Sequence, residues 1–109
     1  MGSERFRNLA LSFPEAEEKA HFGKADFRVR NKIFAGFSAA GIAYVKLLPE
    51  QQEMLRAAEA GVITVLAGHW GRQGWTSIDQ HKADDTLLRS VLTMAWRNVA
   101  PKKLITLQE

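Results

Sequence analysis

The stretch that decides the fold is Gly68-His69-Trp70-Gly71-Arg72-Gln73-Gly74-Trp75-Thr76-Ser77, where three glycines and two tryptophans fall within ten residues. Glycine has no Cβ, so it lets the backbone adopt positive φ and lets a neighbouring element come close. Tryptophan brings a large apolar ring that needs cover and an N–H that needs a partner. The stretch therefore predicts a tight loop that leads into a strand, with the Trp75 ring anchored in a core.

The composition predicts a single globular domain over residues 1–109. The chain is 46% hydrophobic and 25% charged, which is ordinary for a folded protein and unlike a disordered one. It has no cysteine, so neither a disulfide framework nor a thiolate metal site is expected. No apolar run approaches the ~20 residues that cross a bilayer, and the N-terminus lacks a secretory signal pattern. We expect a cytoplasmic protein without a membrane partner.

Hydrophobic periodicity predicts three helices and five strands. The helices are expected at 3–13, 49–60 and 85–99. The strands are expected at 27–30, 33–37, 42–47, 62–65 and 75–78. Pro49 suits the first turn of the second helix, and Asp84 or Asp85 caps the third. Residues 15–19 remain as a polar connection, and the residues after Pro101 form a short tail.

This order of elements, α-β-β-β-α-β-β-α, favours an α+β fold. We predict two layers, with one antiparallel five-stranded sheet and the helices packed on one face. Alternation with two-residue turns gives the first three strands one almost wholly apolar face, which carries Phe27, Val29, Phe34, Gly36, Ala43, Val45 and Leu47. The other face carries Arg28, Arg30, Ile33, Ala35, Phe37, Ile42, Tyr44 and Lys46. A slip of one residue at the turn near 40–41 would exchange the faces of the third strand.

The positive charge is concentrated in one segment. The formal net charge of the chain is +3, and the segment from Lys24 to Lys46 alone carries +4 because it holds five bases and one acid. The bases are Lys24, Arg28, Arg30, Lys32 and Lys46. A localised basic field attracts phosphates and acidic surfaces.

Several pieces of the sequence match a known family. They are residues 11–16, 21–24, 27–29, 32–35, the 68–75 loop, 95–97 and 100–103. On these pieces the chain resembles the MmcQ/YjbR family of small bacterial proteins of unknown function, across nearly its whole length. The resemblance implies a fold like that of type III secretion chaperones and, more loosely, frataxin. Members are usually labelled as DNA-binding on structural grounds, so the resemblance implies DNA binding and transfers no catalytic residue.

Two functions fit the face that mixes cations with aromatic rings. The first is nucleic-acid binding, to DNA or RNA, in which cations meet phosphates and rings stack on bases. Its candidate residues are Lys24, Arg28, Arg30, Lys32, Phe37, Tyr44 and Lys46. The alternative is a protein–protein interaction or chaperone-like module that uses the same open face.

The sequence gives no sign of an enzyme. Its only histidines are His21, His69 and His81, and no pair has the close helical spacing of a metal site. Nucleophile-elbow and phosphate-loop motifs are also missing. We therefore expect no catalysis, no metal and no cofactor. In the glycine loop, His69, Trp70 and Arg72 are candidates for anion binding; the alternative is that His69 and Arg72 bond to backbone groups and hold the loop's shape. We expect Trp96 in the core.

Overall fold

The computed structural model describes residues 2–21, 24–38, 40 and 42–108. Within these residues the helices are α1 (Gly2–Leu11), α2 (Pro49–Ala58), α3 (Gly68–Arg72), α4 (Asp85–Val99) and α5 (Lys102–Gln108). The strands are β1 (Ala16–His21), β2 (Lys24–Val29), β3 (Lys32–Phe37), β4 (Ala43–Lys46), β5 (Ile63–Val65) and β6 (Trp75–Ile78). Over the same described ranges, no helix combines the length and apolar character needed to cross a bilayer.

The strands form one antiparallel sheet in the order β1-β2-β3-β4-β6-β5. The predicted α+β class with a single antiparallel sheet is confirmed, but the sheet has six strands and the expected count of five is wrong. The extra strand is β1, which occupies most of the segment predicted as a polar connection. Glu15, at a φ of 58°, turns the chain into it. An edge strand tolerates charge, so Ala-Glu-Glu-Lys-Ala-His lacks the apolar alternation that identifies an inner strand.

Two short helices also depart from the prediction. The glycine-rich loop contains α3, which lies between Gly68 at a φ of 66° and Gly74 at a φ of 104°. The tail after Pro101 continues as α5, whose Leu104 side chain is buried in the core. Both helices are shorter than the three or four turns over which periodicity becomes legible.

A bulge in β3 changes which residues face the core. Phe27 pairs with Ala35 while Arg28 pairs with Ile33, so Phe34 is an extra residue in β3. A bulge shifts the alternation of every residue beyond it by one position. Phe37 is consequently buried.

The bulge makes three predicted positions wrong. Ala35 and Phe37, expected on the open face, lie on the buried face opposite Val45 and Ala43. Gly36, expected among the apolar residues, pairs with Tyr44 on the other face. The strand predicted at 42–47 is β4, and its faces are as predicted. Ala43 and Val45 are buried, whereas the residues between and after them are not.

The core lies between the sheet and the helices α1 and α4. Helix α4 begins as predicted after Asp84, whose Oδ1 accepts a hydrogen bond of 2.8 Å from the Leu87 backbone N–H. On its inner side Trp96 is fully buried. The ring stacks on Phe13 at 5.7 Å between centroids, and its Nε1–H donates to the Pro14 carbonyl at 3.1 Å. The predicted core position of Trp96 is confirmed.

Replacing this ring should be costly. We expect Trp96→Ala to lower the free energy of unfolding by about 3–5 kcal/mol, because the cavity removes apolar contacts and the Pro14 carbonyl loses its donor. Trp70→Ala is the matched control, since the Trp70 side chain is 60% exposed, and it should change stability by less than about 0.5 kcal/mol. Urea denaturation measures both variants; equal losses would contradict the assignment of Trp96 to the core.

Candidate functional site

The sheet face turned away from α4, here called the open face, holds the candidate site. Cross-strand pairs on this face join Arg28 with Ile33 and Lys46 with Trp75. Tyr44 lies between them, in register with Gly36 and Ser77. Tyr44 and Lys46 are therefore on the face where the sequence predicted them, and Arg28 is as well.

The open face contains a shallow cavity of about 350 Å³, which we call the aromatic depression. Its walls come from β2, β3, β4, β6, α3 and the link before α3. The lining residues are Asp26, Ile33, Tyr44, Leu66, Trp70 and Trp75. Tyr44 and the two tryptophans of the glycine-rich stretch thus lie around one concave surface.

Tyr44 and Trp75 form the floor of the aromatic depression. Their rings meet edge to face at 5.2 Å between centroids, with an interplanar angle of 88°. The Tyr44 ring lies over Gly36, where a Cβ would be 2.8 Å from the Tyr44 hydroxyl oxygen and 2.6 Å from the Ala25 carbonyl oxygen. Only glycine fits there, because a side chain at that position would lift the ring off the sheet.

Trp75 is half-buried on the open face, so its predicted role as a core anchor is wrong. In β6 the alternation sends Thr76 and Ile78 into the core and leaves Trp75 facing outward. The Lys46 ammonium covers the ring, with Nζ 5.7 Å from the ring centroid. An ammonium at this distance is attracted to the π face.

Close backbone packing fixes α3 at the rim of the aromatic depression. A Cβ on Gly71 would lie 1.9 Å from the Leu66 carbonyl oxygen, and a Cβ on Gly74 would lie 2.3 Å from the Leu47 carbonyl oxygen. The prediction that these glycines permit close approach is confirmed. The spacing puts Trp70 next to a glycine that is locked against the chain, so the exposed indole stands on an anchored helix.

A buried amide adds to this anchoring. Gln52 of α2 is buried, and its Nε2 donates to the Gly71 carbonyl and to Thr76 Oγ1, both at 3.1 Å. The Thr76 hydroxyl in turn donates to the Gly74 carbonyl at 3.1 Å. Sequence reasoning missed Gln52, because nothing in the helix pattern distinguishes a buried glutamine from an exposed one.

Ion pairs reduce the basic field that the sequence predicted. Arg28 donates to both carboxylate oxygens of Asp26, at 2.8 and 3.2 Å. Arg30 lies in the turn after β2 and donates to both oxygens of Glu15, at 3.0 and 3.3 Å. Hydrogen bonding to these acids raises the pKa of each arginine and, in the second pair, lowers the pKa of Glu15. Two of the five predicted cations therefore already hold an anion.

The remaining predicted site residues are dispersed. Lys24 and Lys32 are exposed at the starts of their strands, away from the lining of the aromatic depression. Phe37 is buried beneath the Arg7 guanidinium, whose Cζ lies 5.1 Å from the ring centroid. Phe37 therefore leaves the candidate set.

The predicted anion-binding loop is part of the site, although it is helical. His69, Trp70 and Arg72 are all exposed residues of α3. The imidazole of His69 packs against the Trp70 indole at 6.1 Å between centroids. Trp70 lines the aromatic depression, while Arg72 lines an adjacent cleft of about 270 Å³ together with Lys46.

A family relationship accompanies this geometry. The model of the family described as YjbR matches residues 11–98. The chain belongs to the YjbR family. The crystal structure of Deinococcus radiodurans protein DR2400, described with the domain DUF419, matches with a TM-score of 0.75 and 20% sequence identity. The match covers 93% of this chain and 80% of that chain, and it shows a shared fold. Comparison with curated proteins finds no match.

The resemblance to the MmcQ/YjbR family seen in the sequence is thus confirmed. The YjbR match includes all six residues that line the aromatic depression, from Asp26 to Trp75. It ends before α5 and starts at the last residue of α1. The matched range therefore contains the candidate site along with the rest of the sheet.

Removing the buried amide should loosen α3. We expect Gln52→Met to lower the free energy of unfolding by about 1–2 kcal/mol, because two hydrogen bonds to buried acceptors are lost while the side-chain volume is kept. Hydrogen exchange should also accelerate at the Gln73 amide, which closes α3 by bonding to the His69 carbonyl at 3.1 Å. Gln73→Met, at an exposed position, is the control for stability, and an equal loss there would contradict the role of Gln52.

The single tyrosine of the chain reports directly on the aromatic depression. Burial raises the pKa of Tyr44 above 10.0, and the Asp26 carboxylate raises it further. Because the folded pKa exceeds the unfolded value, the stability that Tyr44 contributes is present below pH ~10 and is lost as pH rises through the folded pKa.

Absorbance of tyrosinate across a pH series measures this pKa. The folded chain should titrate above the urea-unfolded chain, and Asp26→Asn should lower the folded midpoint without bringing it down to the unfolded value. A folded midpoint at or below the unfolded one would show that the Tyr44 hydroxyl is solvated.

Proposed function

We propose that the chain binds single-stranded nucleic acid, with one base held in the aromatic depression. The observation that carries the proposal is the cluster of Tyr44, Trp70 and Trp75 around one concave surface of the open face. Aromatic side chains on a sheet face stack on unpaired bases, and each such contact contributes about 1–3 kcal/mol. A concave site requires the base to leave its neighbours, which favours single strands over duplexes.

The cations near the aromatic depression support this proposal. Lys46 covers the Trp75 ring and also lines the adjacent cleft that it shares with Arg72. Because Lys46 contacts a ring of the aromatic depression and also lines this cleft, we place the phosphate of a bound strand at the cleft. Lys46 and Arg72 thus replace Arg28 and Arg30, which are held by carboxylates, as the proposed phosphate contacts.

The charges on the rest of the open face indicate the path that a bound nucleic-acid strand would follow. Across β1 and β2, Glu17 lies opposite Arg28 and Lys19 lies opposite Asp26. Acids alternate with bases there, so phosphates gain little net attraction. The proposed path therefore follows β4, β6 and α3, where the described cations are Lys46 and Arg72.

A protein partner is the second candidate. Five of the six residues that line the aromatic depression are apolar or aromatic, and the Trp70 ring is mostly exposed. A site of this kind also accepts an aromatic or aliphatic side chain from another protein. Salt dependence separates the two candidates, because counterion release from phosphates gives a steep slope that an apolar contact lacks.

Fluorescence anisotropy with a labelled thymidine oligonucleotide tests the proposal. We expect the single strand to bind more tightly than the duplex at low salt, and Trp70→Ala to weaken single-strand binding by about tenfold through loss of stacking. Met54→Ala is the matched control, because Met54 is also an exposed apolar side chain, 52% exposed on α2. It should bind like the unaltered chain.

The same titration across a salt series tests the cations. Lys46→Ala should reduce the slope of log affinity against log salt by about 0.7, the value of one phosphate contact on a single strand. Lys103→Ala, at an exposed position on α5, should leave the slope unchanged. Absence of binding at low salt would reject the nucleic-acid proposal, and so would equal affinity of the unaltered chain and all four variants.

A further inference from the structure

A second cavity, with a volume of about 420 Å³, adjoins the aromatic depression on the open face. We call it the end cleft, because it lies where β4 begins and β6 ends. Its lining comes from both of these strands, from β5 and from the turn after β6. The lining residues that matter here are Ile42, Val62, Thr64, Ser77, Asp79 and His81.

The register of the sheet joins the end cleft to the aromatic depression. Tyr44, which lines the depression, pairs with Ser77, which lines the cleft. Ser77 also pairs with Thr64 on β5. Along β6, Ser77 is two residues from Trp75, a rise of about 6.8 Å on one face of a strand. A nucleic-acid strand that crosses the row formed by Tyr44, Ser77 and Thr64 therefore passes from one cavity into the other.

The walls of the end cleft suit a nucleobase, which is apolar on its faces and polar at its edges. Ile42 is 55% exposed and Val62 is half-buried, so both offer apolar area. Thr64 is exposed and offers a hydroxyl. Among the described residues that line the cleft, Asp79 is an acid and none is a lysine or an arginine. A phosphate gains no attraction from such a lining, whereas a base finds both apolar and polar walls.

His81 brings an exposed imidazole to the end cleft on a turn that is held in place. Asp79 Oδ1 accepts a hydrogen bond of 3.0 Å from the His81 backbone N–H. The Asp79 carbonyl accepts hydrogen bonds from the backbone N–H groups of Lys82 and Ala83, at 3.1 and 3.0 Å. Arg5 in turn donates to the Ala83 carbonyl at 2.8 Å. The turn is thus organised before a ligand arrives, which reduces the entropic cost of binding.

We infer that the end cleft holds a second base of the bound single strand, the neighbour of the base in the aromatic depression. The inference rests on the proposed single-strand binding and extends the site from one nucleotide to two. His81 supplies a ring on which the second base stacks, a role that histidine shares with the larger aromatic residues, and Ile42 supplies apolar contact. The phosphate that links the two nucleotides lies over the row between the cavities, where the Thr64 hydroxyl donates to it.

NMR titration of the chain with three thymidine dinucleotides tests the inference. Each ligand carries a phosphate at both ends, so that a terminal phosphate reaches Lys46 in either direction of the strand. One ligand has both bases, and the other two lack the first or the second base. We expect the two-base ligand to bind about tenfold more tightly than the better of the one-base ligands, because one more base is stacked. The amide resonances of Thr64 and His81 should shift with the two-base ligand and stay in place with the others.

Two substitutions assign this gain in affinity to the end cleft. His81→Ala and Ile42→Ala should each reduce the ratio of the two affinities toward the statistical advantage of a ligand that carries two bases in place of one. Leu11→Ala is the matched control and should keep the ratio, because Leu11 is 37% exposed on α1, outside the lining of both cavities. Trp70→Ala should weaken the binding of all three ligands, because it removes a wall of the aromatic depression.

Each remaining outcome is decisive. A ratio no larger than the statistical advantage in the unaltered chain would overturn the inference, and binding that still depends on Trp70 would leave the proposed function in place. An unchanged ratio in both His81→Ala and Ile42→Ala would also overturn the inference. If no dinucleotide binds at low salt, the proposed function fails and the inference fails with it. If a variant does not fold, which its NMR spectrum reveals, the three ligands and the resonances of the unaltered chain decide the matter alone.

Discussion

One extra residue in β3 determines which side chains are buried and which reach the open face. With Phe34 bulged, both Phe34 and Phe37 enter the core. Gly36 is moved to the opposite face, where its missing side chain admits the Tyr44 ring. Without the bulge, Phe37 would crowd the place that Tyr44 now fills. The place of the Tyr44 ring in the aromatic depression depends on this one irregularity.

Sequence reasoning recovered those features that local chemistry dictates. The strands β4 and β6, the first turn of α2 at Pro49, the cap of α4 and the buried Trp96 follow from alternation, capping preference and apolar stripes. Sequence reasoning failed where the structure of a segment depends on its contacts with residues distant in sequence. An edge strand shows little apolar alternation, and a bulge has no composition of its own. Hence β1 and the inner position of Phe37 were both missed.

The candidate site was predictable in the same uneven way. Tyr44 and Lys46 were placed on the open face because their strand is regular. The count of charges in the basic segment overestimated the positive field there. It leaves out Glu15, which precedes that segment and accepts hydrogen bonds from Arg30. Trp75 was assigned to the core by its size, whereas its neighbour Thr76 is the buried residue. A large aromatic ring needs to be covered, and in this structure Tyr44 and Lys46 cover the Trp75 ring.

The two edges of the sheet bear on how the chain can assemble. At one edge, β1 presents two glutamates and a lysine in six residues, and at the other, β5 has only three residues. Charged or short edges are poor templates for a further strand. Growth of the sheet from copy to copy is thus disfavoured at both ends, which protects the molecule against fibrous polymerisation. The proposed binding uses the broad surface of the sheet and neither of its edges.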